Sequence, residues 1–260
     1  MIDGEKRSRP RPRILYGVEE PIFSVLPERV LANLYTSASE NALLWNLIYP
    51  LTKPFISLNT LYSIPPLWGT AELDLPDDDL EPYFWGFNID GQKLTGLEKV
   101  LNNIDGDGPQ TEVDLFLLGN SNLLLVEGKH LSGFGRCSRF SKERCPEIHN
   151  NDEDPSRVCR YWEPGDQEFR TLLNFGSRPQ AGDPSPLCNR HYQLARTLLV
   201  GAALADKQHR DLHLWLMVSH TRWRQLERSW LDFANCVIEE CLWRRLRVIA
   251  WEDIQKLPSE

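Results

Sequence analysis

Three residues near the middle of the chain have types and a spacing that could do chemistry. Asp114 is followed, after twelve residues, by Glu127-Gly128-Lys129. Two carboxylates held close together repel each other, and a divalent cation removes that repulsion because Mg²⁺ commonly binds one or two carboxylates together with water and phosphate oxygens. An ammonium group beside them would orient the attacking water and stabilise charge on a phosphate. The three residues therefore predict metal-assisted hydrolysis of a phosphodiester.

The elements that must position these residues are two apolar segments, residues 112–118 (EVDLFLL) and 122–127 (NLLLVE). The residues between them, Gly-Asn-Ser, are typical of a turn, so the segments predict a β-hairpin. A turn centred between Asn120 and Ser121 pairs residues whose numbers sum to 241, which sets Asp114 opposite Glu127. Directly opposed residues have Cβ atoms about 4.5–5.5 Å apart. The alternative is an ordinary hairpin whose polar ends are solvated.

This pattern resembles the PD-(D/E)XK motif of restriction-endonuclease-like nucleases, with Val113 where many members have proline. The resemblance implies that Asp114 and Glu127 bind Mg²⁺ or Mn²⁺, with the backbone carbonyl of Gly128 as a further ligand. It also implies that Lys129 acts on the water and the phosphate, and that the motif lies on the second and third strands of the core.

Further candidates lie on predicted helices before and after the hairpin. Members of this superfamily often add a glutamate from the first core helix or a neighbouring element, and both Glu40 and Glu98 are candidates. On a later helix, Gln193 and Arg196 lie within one turn of Tyr192. Arg196 is a candidate for holding a phosphate oxygen. The alternative for Glu40, Glu98 and Arg196 is a solvated surface position, which is the more common one for such glutamates.

Four of the six cysteines fall in a polar segment, residues 131–188, which we interpret as a Cys-rich insertion. They are Cys137, Cys145, Cys159 and Cys188. Their spacing contains no CxxC pair, which makes the metal signature weak. Zn²⁺ or an iron–sulfur cluster is one interpretation. Some relatives hold such a cluster with four cysteines, one of them before the hairpin, whereas in this chain all four follow it. Plain buried thiols are the other interpretation. Cys236 and Cys241 are expected in a helix as core residues.

The order of the elements predicts an α/β fold. Residues 27–49 are predicted to be helical, 65–82 an irregular loop, 83–89 a strand, and 94–102 a short helix or strand. After the hairpin we predict a helix (191–206), a strand (212–219), a helix (225–242) and a strand (246–250). The prediction is a restriction-endonuclease-like core, a mixed β-sheet flanked by helices, in a single domain of residues 14–260. Residues 1–13, rich in Arg and Pro, are expected to be a flexible basic arm.

Composition limits the classes of function. The chain has 260 residues, 41% hydrophobic and 25% charged, which is usual for a globular protein. No apolar run approaches the ~20 residues of a membrane helix, so we expect a cytoplasmic protein. The net charge of −8 argues against a general nucleic-acid coat but allows an acidic metal site in a basic groove. We expect nucleic acid, DNA above all, as the substrate, and protein partners or a homodimer remain open. The alternative function is an inactive module of the same fold that binds nucleic acid or a protein.

Overall fold

The structure is a computed structural model that describes residues 13–36, 39–52, 55–70, 77–106, 110–149, 158–165 and 168–257. The predicted basic arm lies outside these ranges except for Arg13. None of the helices in them is both long and apolar enough to span a bilayer.

A seven-stranded mixed sheet forms the centre of the described structure. Its strands are β1 (Ile56–Ser57), β2 (Pro66–Gly69), β3 (Asp79–Phe84), β4 (Leu115–Leu118), β5 (Asn122–Lys129), β6 (Asp211–Val218) and β7 (Leu246–Ala250). The spatial order is β1-β3-β4-β5-β6-β7-β2. Strands β5, β6 and β7 are parallel, and every other neighbouring pair is antiparallel. The predicted mixed α/β sheet with flanking helices is confirmed.

Helices cover both faces of this sheet. They are α1 (Ile22–Val25), α2 (Glu28–Leu34), α3 (Glu40–Ile48), α4 (Leu58–Tyr62), α5 (Leu97–Asp105), α6 (Ser138–Ser141), α7 (Leu187–Arg190), α8 (Tyr192–Gln208), α9 (His220–Ala234), α10 (Glu240–Arg244) and α11 (Trp251–Ile254). Three 3₁₀ turns lie at Tyr49–Leu51, Arg160–Trp162 and Phe169–Thr171.

Two hydrophobic cores lie on opposite sides of the sheet, and β5 contributes to both. Leu123 and Leu125 pack into the core formed with α5, α8 and α9. Leu124 and Val126 pack into the core formed with α1 to α4. A strand that is buried on both faces needs apolar side chains at consecutive positions. This explains the uninterrupted leucines of β5.

The hairpin between β4 and β5 has the predicted register. Leu115 pairs with Val126 and Leu118 with Leu123, so the paired numbers sum to 241. The turn is fixed from outside by Asp78, whose carboxylate accepts hydrogen bonds from the backbone N–H groups of residues 120, 121 and 122. Asp78 is itself buried just before β3. The position of the hairpin therefore depends on a contact across more than 40 residues of sequence.

Three predicted elements were wrong in their extent. The helix expected over 27–49 is two helices, α2 and α3, because the side chain of Ser39 accepts a hydrogen bond from the N–H of Ala42 and begins a new helix. The loop expected over 65–82 contains β2, an edge strand beside β7, and the start of β3. The helix expected over 225–242 is α9, which begins earlier and ends at Ala234, followed by the separate α10.

The two elements before the hairpin are now defined. The strand expected over 83–89 is β3, which starts at Asp79 and ends at Phe84, because Trp85 and Gly86 both have positive φ and turn the chain. Residues 97–105 form helix α5. The helix after the cysteine-containing segment and the last two core strands agree with the sequence prediction to within two residues.

Candidate functional site

The hairpin places Asp114 and Glu127 on the same face of the sheet. Asp114 directly precedes β4, and its position pairs with Glu127 if the Leu115–Val126 register is continued by one residue. Oδ2 of Asp114 accepts a hydrogen bond of 2.8 Å from the backbone N–H of Gly128. The first carboxylate is thus held against the strand that carries the second.

The carboxylate of Glu127 is buried, and its two oxygens have different surroundings. Oε1 lies 2.5 Å from Nζ of Lys129 and also accepts a hydrogen bond from the side-chain amide of Gln193. Oε2 is buried without a hydrogen-bond partner. An unpartnered carboxylate oxygen is costly in an apolar interior, so this atom calls for a cation or a proton.

Glu40 joins the site from the first turn of α3. Its Oε1 accepts hydrogen bonds from the N–H of His130 (2.8 Å), the N–H of Ser132 (3.2 Å) and the hydroxyl of Ser132 (2.8 Å). Its Oε2 lies 3.9 Å from Nζ of Lys129. Glu40 therefore holds the chain that leaves β5 and adds a third carboxylate near the lysine.

Burial and mutual repulsion set the protonation of these groups. Burial, then the charge of Glu127, raises the pKa of Asp114 well above its usual value. Burial also raises the pKa of Glu127, against the effect of Lys129. Burial opposes ionisation of Glu40, but Lys129 and the hydrogen bonds at residues 130 and 132 outweigh it and lower the Glu40 pKa. The Lys129 pKa is raised, because the three carboxylates outweigh its desolvation.

A cleft of about 540 Å³ opens over these residues. Its charged lining includes four acids, Glu40, Glu112, Asp114 and Glu127, and three bases, Lys129, Arg136 and Arg196. The acids gather at the end of the hairpin, and the arginines come from the segment after β5 and from α8. A site of this composition suits an anionic substrate that reaches a cation at the acidic end.

Helix α8 contributes two of the expected side chains to the cleft. Gln193 bridges the hairpin and the segment after it, because its Nε2 donates to Glu127 and its Oε1 accepts from the N–H of Gly135 at 2.7 Å. Arg196 forms an ion pair of 2.7 Å with the buried carboxylate of Asp105 and lies over the ring of Tyr192. Its guanidinium is thereby held at the wall of the cleft.

Of the two glutamates proposed from the sequence, the structure brings only Glu40 to the site. Glu98 is 69% exposed on α5 and forms an ion pair of 3.0 Å with Lys93. An acid that the sequence reasoning missed, Glu112, lines the cleft, and burial raises its pKa. The sequence could have indicated Glu112, because it lies two residues before Asp114. In an extended chain, side chains two residues apart point to the same face.

Gly128 lies between Glu127 and Lys129, at a position where a larger residue would crowd its neighbours. A Cβ at this position would lie 3.2 Å from the ring of Trp251 and 3.6 Å from Oδ2 of Asp114. The indole N–H of Trp251 also donates to the carbonyl of Lys129 at 3.3 Å. Glycine thus allows α11 to pack against the strand. The role of the Gly128 carbonyl as a ligand stays a prediction.

The residues at this site fit a magnesium ion. Asp114 and Glu127 supply two carboxylates, the number that Mg²⁺ commonly takes from protein, and Oε2 of Glu127 has a free lone pair. In the described ranges, no three His, Cys, Asp or Glu side chains have the spacing of a complete metal site. Water and phosphate oxygens would therefore complete the coordination.

The four cysteines of the segment 131–188 lie around one small cavity. Cys137, Cys145, Cys159 and Cys188 all line it. All carry free thiols, as do Cys236 and Cys241. Next to Cys145, His149 accepts a hydrogen bond through Nδ1 from the N–H of Cys145.

Comparison with known proteins gives one match. Residues 36–259 match the model of a protein family described as "Restriction Endonuclease associating with ARP". No curated protein and no solved structure matches the chain. The family match covers the hairpin, Glu40, α8 and the four clustered cysteines.

Proposed function

The chain belongs to the family of restriction endonucleases associating with ARP, and we propose that it is a Mg²⁺-dependent nuclease that hydrolyses phosphodiester bonds of DNA. The observation that carries this proposal is the pair of opposed carboxylates, Asp114 and Glu127, in which the buried Oε2 of Glu127 has no hydrogen-bond partner and Lys129 lies beside Oε1. Family membership supports a nuclease, and the cleft residues suggest how this chain would perform the reaction.

Asp114 and Glu127 would hold the ion, and Gln193 and Gly128 would orient the two carboxylates. When bound, Mg²⁺ supplies Lewis acidity at the phosphate and lowers the pKa of coordinated water. Gln193 leaves Oε2 of Glu127 available because it donates to Oε1. The N–H of Gly128 similarly fixes Oδ2 of Asp114. Such preorganisation lowers the cost of reaching the reactive geometry.

Lys129 acts in this proposal as a cation. Its raised pKa keeps the side chain protonated, so it can donate hydrogen bonds to a phosphate oxygen or to the attacking water. It cannot serve as a general base in that state. Glu40, which lies near Nζ and holds the backbone of residues 130 and 132, would position the ammonium.

The arginines of the cleft would bind the nucleic-acid backbone. Arg196, which is paired with Asp105, and Arg136 both line the cleft. Arginine suits phosphate because its planar donors can bind two oxygens at once. We include in the proposal a role in restriction or another defence process, and an association with ARP, as the family description states for its members.

The test is cleavage of DNA by the purified protein with Mg²⁺ or Mn²⁺ and with a chelator. Asp114→Asn and Lys129→Ala should each lower the rate at least about 100-fold, as expected when a transition-state interaction is removed. Glu98→Gln and Lys93→Ala, an exposed acid–lysine pair, are matched controls and should keep the rate. If wild type and Asp114→Asn are equally inert on double-stranded DNA, single-stranded DNA and RNA, the protein is a binding module of this fold.

A further inference from the structure

We propose that Cys137, Cys145, Cys159 and Cys188 form a second metal site, separate from the carboxylate site, in which four thiolates hold a zinc ion or an iron–sulfur cluster. The four residues are spread over 52 positions of sequence, yet their side chains line one cavity of about 20 Å³. Four cysteine thiolates typically bind a zinc ion or an iron–sulfur cluster. This proposal does not depend on the nuclease function.

The four thiols differ from cysteines that only fill a core. Cys137, Cys159 and Cys188 are partly exposed, and the segment around them contains little regular structure. Its described elements are two four-residue helices, α6 and α7, and two three-residue 3₁₀ turns. A metal bound by four thiolates would add a cross-link to a segment that has few backbone hydrogen-bond ladders among its described residues.

Glu147 supplies the only carboxylate among the described residues that line this cavity, and it is occupied by Arg178 and by the N–H of Cys159. Among the described residues, no three His, Cys, Asp or Glu side chains are placed closely enough to hold a metal ion. The proposal therefore requires the four thiols to move closer together when the metal binds.

The proposed centre would join the two segments that form one wall of the cleft. Cys137 follows Gly135, which donates to Gln193, and Cys188 lies in α7 just before α8. Tyr192 lines both the cleft and the cysteine cavity. The metal would therefore be structural and would fix the start of the helix that carries Gln193.

The test is the metal content of protein purified without oxygen. We expect about one zinc ion per chain, or iron with acid-labile sulfide and a thiolate–iron absorption band, and the two results identify the metal. Serine at any one of the four positions should lower the retained metal at least about tenfold. Cys236→Ser and Cys241→Ser are the matched controls and should retain it. Wild-type protein without zinc or iron overturns the proposal, as does equal retention in all six variants.

Alkylation of the unaltered protein keeps the test independent of variant folding. With metal bound, the four thiols should resist alkylation, and a chelator should expose all four together, as mass spectrometry can resolve. The exposed Cys241 should react with or without the chelator. Reaction of the four thiols at a rate that the chelator does not change also overturns the proposal. Since these readouts measure metal and thiols, an inactive carboxylate site would leave them unaffected.

Discussion

Nζ of Lys129 lies 2.5 Å from Oε1 of Glu127, and both side chains are almost completely buried. The single positive charge of this ammonium can balance only one carboxylate. Three carboxylates, those of Glu127, Asp114 and Glu40, lie near enough to raise the Lys129 pKa. Without a second cation, burial and the neighbouring charge of Glu127 favour a proton on Asp114, whose pKa they raise, and a divalent cation would replace that proton. The following predictions test this balance of charge.

Magnesium should stabilise the protein through Glu127. At a concentration about 100 times its dissociation constant, a ligand that binds only the folded state adds about 2.7 kcal/mol to the free energy of unfolding. Glu127→Gln removes one of the two ligand carboxylates, so the gain in melting temperature with Mg²⁺ should disappear. Thermal unfolding with and without Mg²⁺ measures it, with the exposed Glu98→Gln as the control. A full Mg²⁺ effect in Glu127→Gln would show that the ion binds elsewhere.

Loss of Lys129 should destabilise the metal-free protein. Lys129→Ala leaves the buried charge of Glu127 without its partner, and breaking a buried ion pair costs about 3–5 kcal/mol. Denaturant unfolding in the presence of a chelator measures this cost. Lys93→Ala, which breaks an exposed pair, should change the free energy of unfolding by less than about 1 kcal/mol. Equal stability of the two variants would mean that Glu127 takes up a proton at no cost.

Asp114 should make the metal-free protein less stable as the pH rises. Its pKa is higher in the folded protein than in the unfolded chain, so the folded state keeps a proton that the unfolded state releases. This contribution to stability is full below the unfolded value of about 3.9 and is lost as the pH rises through the folded value. Asp114→Asn should flatten the dependence, as measured by unfolding over a pH series with a chelator. A slope identical to that of wild type would contradict this assignment.

Asp78 should stabilise the hairpin from its far end. Its carboxylate accepts hydrogen bonds from three backbone N–H groups of the turn and from the side-chain amide of Asn122. Asp78→Ala leaves these donors without their acceptor and should cost about 1–3 kcal/mol of unfolding free energy. The neighbouring exposed Asp79 is the matched control, and Asp79→Ala should cost less than about 0.5 kcal/mol. Equal effects of the two changes would show that the turn forms without Asp78.

The sequence could predict the hairpin because its determinants are local. A Gly-Asn-Ser turn between two apolar runs fixes the register, and the register alone brings Asp114 opposite Glu127. Glu40 and Glu98 could not be distinguished in this way, because each lies in the first turn of a helix and their surroundings depend on how those helices pack. The structure brings Glu40 against residues 130 and 132 and leaves Glu98 with solvent and Lys93.

The chain's own pattern thus determined the mixed α/β fold, the face that Asp114, Glu127 and Lys129 share, and the helix that carries Gln193. Only the tertiary structure decided that Gln193 contacts Glu127, that Arg196 is held by Asp105, and that four irregularly spaced cysteines line one cavity. The physical reason is the range of the interactions. A turn and an alternating strand relate residues a few positions apart, whereas contacts between distant segments depend on the packing of helices against both faces of the sheet.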